Sequence, residues 1–318
     1  MLPPVLPFLF KRKSERGWLV IQIGPGTVRL AHVYPNGGRP KVLFCEERQW
    51  VPDEPKTLEK ICREFHVDRF QCTTLLDPGE YQILAVEAPN VRPDELKAAV
   101  RWRIKDLIDY HLEDAVVDVL DIPPGNGGGT RSHSMYAVAA RSEIVRGVID
   151  RFESAGVPLQ VIDIPDTAQR NLAAHLEPEG KGVVMVSFDD RGGLITFTAG
   201  GELYLTRRID IPAAGIGDAD EEKRIQFIDR AALEIQRSLD HFERQFHYVA
   251  IDRVLVAPVA GAPDLIERIA ANVFLPVEAF RLEAALDISE APALADAGLQ
   301  PRWLKMVGAG LRVEPRAL

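Results

Sequence analysis

Trp18–Ile23 (WLVIQI) is almost wholly apolar, as a strand covered on both faces is. GPG, TVRLAHVY, PNGGRP and KVLFC follow it through Cys45. The same grammar returns in Lys181–Ile211. There Val183–Val186 is apolar, Ser187–Gly193 polar and bendable, and Leu194–Thr198 apolar again, before an Ala199-Gly200-Gly201 turn and a last run, Leu203–Ile209. Glycine supplies the positive backbone angles that such turns need. Each block predicts a three-stranded meander opening a domain, and two blocks in one chain predict a duplicated domain.

Between the blocks, Pro55–Phe65 predicts a helix, and Gln71–Leu76 and Tyr81–Glu87 predict strands joined by Asp77-Pro78-Gly79. Asn36-Gly37-Gly38 reads as a hairpin turn. Pro93–Tyr110 predicts a helix whose Pro93, Asp94 and Glu95 suit a first turn. Leu96, Val100, Ile104, Leu107 and Ile108 share one face of it, and Trp102 stands nearly opposite, with Ala98, Lys105, Asp106 and Asp109. The following strands or a partner must then cover Trp102. Glu113–Ile122 and Ser134–Ala140 read as strands around a flexible PPGNGGGTRS, Pro123–Ser132. Ser142 caps a helix to about Ala155, Leu159–Ile164 is a strand, and Asp166 starts a helix through His175. EPEGKG, Glu177–Gly182, marks a domain boundary. In the second half Ile225, Ile228, Ala232, Ile235, Leu239, Phe242 and Phe246 recur in steps of three and four, the stripe of one long core helix. Arg253–Val256 and Leu275–Phe280 (strands) and Pro263–Asn272 and Trp303–Leu311 (helices) complete the pattern. The chain therefore divides into a flexible tail at 1–16, a first half at 17–178 and a second half at 179–318. Each half is α/β with a mixed sheet, and a cleft lies between them with a glycine turn from each half at its floor.

Composition narrows the function classes. The 318 residues are 46% hydrophobic and 27% charged, enough for two domains with full cores. The net charge of −9, with no basic stripe, argues against a nucleic-acid partner. Cys45, Cys62 and Cys72 lack metal-ligand spacing and read as reduced thiols of a cytoplasm-like compartment. No apolar stretch is long enough to span a bilayer. MLPPVLPFLFKRK is broken by Pro3, Pro4 and Pro7, and its cations follow the apolar part, so it reads as a disordered tail rather than a secretory signal. A weak contact with anionic lipid is its other reading. There is no phosphate loop of the G-x-x-x-x-G-K-[ST] type, no G-x-S-x-G elbow and no H-E-x-x-H helix, so no catalytic residue and no metal set emerges.

The duplicated βββαβαβα plan with glycine turns facing a cleft resembles the actin-like (ribonuclease H-type) ATPase fold. Gly79–Pro123, Glu234–Phe246 (EIQRSLDHFERQF) and Trp303–Arg312 (WLKMVGAGLR) are similar to the matching segments of pilus-assembly proteins of the PilM and MshI kind. The resemblance extends over most of Trp18–Arg312. It implies a cytoplasmic component of a type IV pilus or related secretion platform, reaching the membrane indirectly, through the amino-terminal cytoplasmic peptide of a PilN-like single-span inner-membrane protein. It also implies an inserted subdomain at about Tyr81–Ala155, and makes Arg101, Trp102, Lys105 and Asp106 candidate partner contacts. Whether the chain self-associates stays open.

Relatives that bind ATP begin with Asp-x-Gly, repeat it at the second meander and end with a Gly-Gly adenosine turn. Glycine turns bring N–H groups to phosphate, and carboxylates hold Mg²⁺ and orient water. Here the first turn is Gln22-Ile23-Gly24-Pro25-Gly26-Thr27, with an amide in the carboxylate's place. In the second, Ser187 replaces Asp, and Asp189 stands where glycine would admit phosphate, ahead of Gly192 and Gly193. The third is Ala257-Pro258-Val259-Ala260-Gly261, with one glycine left. The residues that would form a degenerate nucleotide site are thus Gly24, Gly26, Thr27, Ser187, Asp189, Gly192, Gly193 and Gly261, and Mg–ATP binding is weak or lost. Asp163 and Asp166 remain as cleft carboxylates, or as a strand end and a helix N-cap.

Overall fold

The computed structural model describes residues 15–35, 38–51, 55–124 and 133–313. Three sequence expectations fall wholly or mostly outside these residues: the tail before Glu15, Asn36-Gly37 of the first hairpin, and most of Pro123–Ser132. The last two residues of the expected tail are held, because the Glu15 amide donates to Arg69 O at 2.8 Å and Arg16 O meets the His32 ring at 3.0 Å.

β1 (Trp18–Gly24), β2 (Thr27–Tyr34) and β3 (Lys41–Gln49) form the first meander, and α1 (Pro55–Glu64) leads to β4 (Gln71–Leu75), parallel to β1. β5 (Tyr81–Glu87), α2 (Leu96–Arg103), β6 (Ala115–Asp121) and β7 (Ser134–Arg141) come next, then α3 (Ser142–Ser154), β8 (Leu159–Asp163) and α4 (Pro165–Ala174). β9 (Gly182–Asp189), β10 (Gly192–Ala199) and β11 (Glu202–Ile209) are the second meander. After it run α5 (Ala213–Ile216), α6 (Glu221–Gln245), β12 (Ile251–Val256), α7 (Leu265–Ala270), β13 (Val277–Ala279), α8 (Leu282–Ala285) and α9 (Gln300–Gly310). The two large sheets, β3-β2-β1-β4-β8 and β11-β10-β9-β12-β13, have the same order, the duplication the repeated meanders predict.

Strand alternation sorts side chains into layers. Leu19 and Ile21 face α1 and α3, whose Leu58, Ile61 and Phe152 cover the outer side of the first sheet. Val20 of the first sheet and Val183 and Met185 of the second face inward, onto Ala168 and Leu172 of α4 and Leu304 and Val307 of α9. Val184, Val186 and Phe197 face outward, onto Ile228, Ile235 and Phe242 of α6. The molecule is a stack of helix, sheet, helix, sheet, helix. α4 and α9 cross so closely that a Cβ on Gly308 would lie 2.1 Å from Ala168 O. Only glycine allows this crossing.

β5, β7 and β6 make a separate antiparallel sheet with β7 central. Ala115, Met135, Ala137 and Ala139 on one face pack on Val100, Ile104 and Ile108. Its other face turns to the second half, where Tyr136 joins the α6 core and donates to Tyr204 O at 3.1 Å. The helix expected over Pro93–Tyr110 is shorter. A 3₁₀ turn at Pro93–Glu95 precedes α2, and beyond Arg103 the chain tightens, with Leu107 N bonded to Ile104 O at 2.9 Å, before it turns back into β6. This rotates Leu107 off the expected apolar face, and it is 54% exposed. Among the described residues no helix is long and apolar enough to cross a membrane.

Candidate functional site

The parallel strands β1, β4, β9 and β12 end on one side of the molecule, and a cleft of about 540 Å³ opens there between the halves. The carboxyl ends of such strands are where open α/β sheets place ligands. Gln22, Arg29 and Leu75–Pro78 line it from the first half. Ser187–Arg191, Ala213, Gly217 and Pro258–Ala260 line it from the second, and Arg302 and Lys305 from α9.

Charges across the cleft are paired with each other. Arg191 of the second meander donates to Asp77 beyond β4 at 2.7 Å and to Pro78 O at 3.2 Å, joining the two halves. Lys305 of α9 holds Asp189, whose other oxygen accepts the Arg191 amide at 2.8 Å. Arg29 and Arg302 both reach Glu47, at 2.6 and 3.5 Å. Asp190 remains an exposed carboxylate at the rim.

Of the sequence-derived nucleotide residues, Ser187 and Asp189 line the cleft; Gly24, Gly26, Thr27, Gly192, Gly193 and Gly261 do not. The reasons are local. Gly24 O and Gly26 O accept from Trp50, through the indole at 2.8 Å and the amide at 3.1 Å. Gly192 and Gly193 are pressed against Ile209 of β11. Gly261 (φ +83°) sits where a Cβ would meet Gly217 O at 2.7 Å, so the two backbones touch. Ser187 is buried and donates to Gln169 Oε1 at 2.6 Å. Neither glycine turn at the meanders forms the floor of the cleft.

α4 carries a polar system that the sequence pattern did not single out. Gln169, fully buried, donates to Met185 O at 2.8 Å and to Thr196 Oγ1 at 3.0 Å. Asn171 donates to Gly308 O at 3.0 Å. Asp166 is not an N-cap. Helix α4 begins at Pro165 with Ile164 as its cap residue, and the fully buried Asp166 carboxylate accepts from Tyr81, from Thr206 at 2.6 Å and from Arg208 at 3.1 Å. Burial first, and then the Asp166 charge, push the Tyr81 phenol far above its usual value. This one carboxylate ties the small sheet, α4 and β11 together. Asp163 accepts from Thr167, the Ile164 amide at 2.8 Å and Arg312 at 2.8 Å. A magnesium nucleotide would need an acidic group free to meet the cation and backbone amides free to meet phosphate. The donor set here does not fit it, because the lining carboxylates Asp77 and Asp189 are already bonded to Arg191 and Lys305, which leaves Asp190 alone at the rim.

Trp102 is 68% exposed, since the next strands cover Val100 and Ile104 on the other side of α2. Lys105 Nζ lies 6.0 Å from its ring centroid, and Asp106 is exposed beside it. Arg101 instead donates to Leu112 O at 2.5 Å, holding the turn into β6. Lys97 of α2 pairs with Asp118 of β6 at 2.6 Å, so helix and edge strand lie side by side.

Lys305, Arg302 and Gly217 are cleft residues that the sequence reading missed. A lone lysine between Leu304 and Met306, in a helix otherwise apolar at that point, was the available signal for Lys305.

No family model matches the chain, and no curated protein does. Solved structures do. A chain of the PilM–PilN type IV pilus biogenesis complex superposes with a TM-score of 0.71 at 18% identity, covering 96% of this chain and 100% of that one. The cytoplasmic domain of EpsL, an inner-membrane component of the type II secretion system of Vibrio cholerae, gives 0.49 at 12%, covering 89% and 94%. A Bacteroides thetaiotaomicron protein of actin-like ATPase fold and unknown function gives 0.48 at 9%, covering 92% and 99%. The chain has the duplicated actin-like fold, with the small sheet inserted in its first half.

Proposed function

We propose that the chain is a non-hydrolysing adaptor in the assembly platform of a type IV pilus, of the MSHA type served by MshI, or of a related secretion system. It works on the cytoplasmic side and reaches the membrane through a partner, the amino-terminal cytoplasmic peptide of a PilN-like single-span protein. The division into 17–178, with its insertion at about 81–155, and 179–318 belongs to the same reading.

The observation that carries it is the wiring of the cleft. Asp189–Lys305 and Asp77–Arg191 put protein ion pairs where a nucleotide's phosphates and cation would have to go. A closure made by the chain itself needs no ligand to hold it. The likeness to a chain of the PilM–PilN complex supports the choice of machinery. The partner surface in this reading is α2 with the neighbouring strand β6. β6 pairs only with β7 among the described residues, so its outer edge is open to an extended peptide. Trp102, Lys105 and Asp106 are exposed on α2 and the turn that follows it, Arg101 holds that turn, and Lys97 ties α2 to Asp118 of β6. Pull-down with the partner peptide tests this. Trp102→Ala and Lys105→Glu should each weaken capture while Tm stays within about a degree or two, as surface changes do. Unchanged capture by both variants removes this surface.

The second reading is a nucleotide-dependent switch. Arg29, Arg191, Arg302 and Lys305 around one cleft favour an anionic ligand. Calorimetry with Mg–ATP separates the two. Heat with a Kd in the low micromolar range, about −7 to −8 kcal/mol, that vanishes when the cleft-lining lysine is reversed in Lys305→Glu, would establish the switch.

A further inference from the structure

A second concavity lies on the outer layer of the second half, far from the cleft. The last turns of α6, the chain entering β12 and the segment before β13 enclose about 450 Å³. Leu239, Phe242, Ile251 and Leu275 form an apolar trough, and Phe274 at its lip is 95% exposed. A phenylalanine this exposed beside an apolar trough marks an interaction site.

Two features state what the occupant must offer. Asp240 and Glu243 line the trough and make its rim acidic, with His247 as the ionisable neighbour. Gln236 Oε1 is buried in the wall without a hydrogen-bond partner, while its amide nitrogen donates to Asp240 at 2.7 Å. A buried acceptor left unpaired is costly, and a backbone N–H from an extended segment satisfies it. The trough therefore suits an extended, aromatic and aliphatic peptide followed by cations. The sequence contains such a segment in Val5–Lys13, VLPFLFKRK, whose Pro7 favours an extended backbone.

We propose that this groove binds Val5–Lys13 of a second copy of the chain, with Phe8 and Phe10 in the trough and Lys11–Lys13 facing Asp240 and Glu243. The chain's own segment does not reach. Glu15 is fixed to Arg69 beside the outer cluster of the first half. The first sheet, the α4–α9 layer and the second sheet separate that point from α6. Layers packed about 10 Å apart make this roughly 30 Å or more, whereas Lys11 to Glu15 spans at most about 14 Å. The contact is head-to-tail, a tail of one copy in a groove of the next, so it grows assemblies rather than closing a symmetric dimer.

Sedimentation velocity on the full chain tests it. The expected result is a mass that rises with protein concentration and falls with added salt, because the rim pairs are exposed. Phe8→Asp and Phe274→Asp should each weaken association at least about tenfold, and Tm should be unchanged in Phe274→Asp, since that side chain is exposed. A mixture of these two variants should form a one-to-one dimer and nothing larger, because it holds one competent tail and one competent groove. A chain that stays monomeric at every concentration, undiminished association in Phe274→Asp, or a mixture without dimer overturns the proposal. A synthetic peptide of residues 2–13 that binds anionic vesicles but not the chain overturns it as well.

Discussion

The two meanders share one topology and differ in almost every polar contact. In the first, the β1–β2 turn is tied down within its own half, because Trp50 donates to Gly24 O and Gly26 O. In the second, the β9–β10 turn reaches outward, Asp189 to Lys305 of α9 and Arg191 to Asp77 of the first half. Duplication preserved the apolar framework, which is the same in both sheets, and left the turn chemistry free to diverge. The halves are therefore joined across the cleft from one side, by Arg191 of the second turn. The first turn contributes order to its own half, and the second contributes contact between halves. The deep connection between them is neither turn but α4, whose Asp166, Gln169 and Asn171 bond the small sheet, the second sheet and α9.

That assignment can be broken in order of expected effect. Asp166→Ala should cost most, about 3–5 kcal/mol, because it strands the Arg208 cation and two hydroxyl groups. Urea denaturation measures it, and a loss under about 1 kcal/mol would mean that α4 is not the connection. Gly308→Ala should follow at about 1–3 kcal/mol through overpacking of the α4–α9 crossing, again read from denaturation midpoints. Trp50→Phe removes one hydrogen bond from the first turn, for a loss of about 1 kcal/mol and no change at the cleft by hydrogen exchange. Arg191→Ala inverts this pattern. Its ion pair is exposed, so stability should move by less than about 1 kcal/mol, yet amides of the β9–β10 turn should exchange faster as the halves part. Slower or equal exchange there would mean that the Arg191–Asp77 pair does not hold the halves together.

The smallest effect is one of pH. Burial holds His32 below its usual pKa, and His175 likewise. The unfolded chain then takes up protons at about pH 6.5 while the folded chain does not, so stability is full above that pH and declines as pH falls through it. Melting curves between pH 7.5 and 5.5 should show the slope, and His32→Gln should flatten it in part.

Much of this fold was legible in the chain. Trp18–Ile21 and Val183–Val186 are strand residues buried on both faces, and a run of apolar residues bounded by glycine states that by itself. The stripe from Ile228 to Phe242 defined α6, because its period is a property of the sequence. The carboxylates were another matter. Asp166 read as a helix cap, and its actual role depends on Tyr81 and Arg208, which lie far from it along the chain and come near only when the small sheet and the second sheet pack around α4. Gly192, Gly193 and Gly261 looked like phosphate turns, yet their missing side chains make room for Ile209 and for Gly217 O. The helical period put Trp102 opposite the apolar face but left open whether the next strands cover it, and the shortening of α2 and the exposure of Leu107 followed from the return into β6. The amino-acid sequence determined which segments become strands and helices and that the plan is used twice, since hydrophobic period and turn residues are local. Only the tertiary structure decided which charges meet across the cleft, because ion pairs and close backbone approaches are made between residues that sequence distance does not relate.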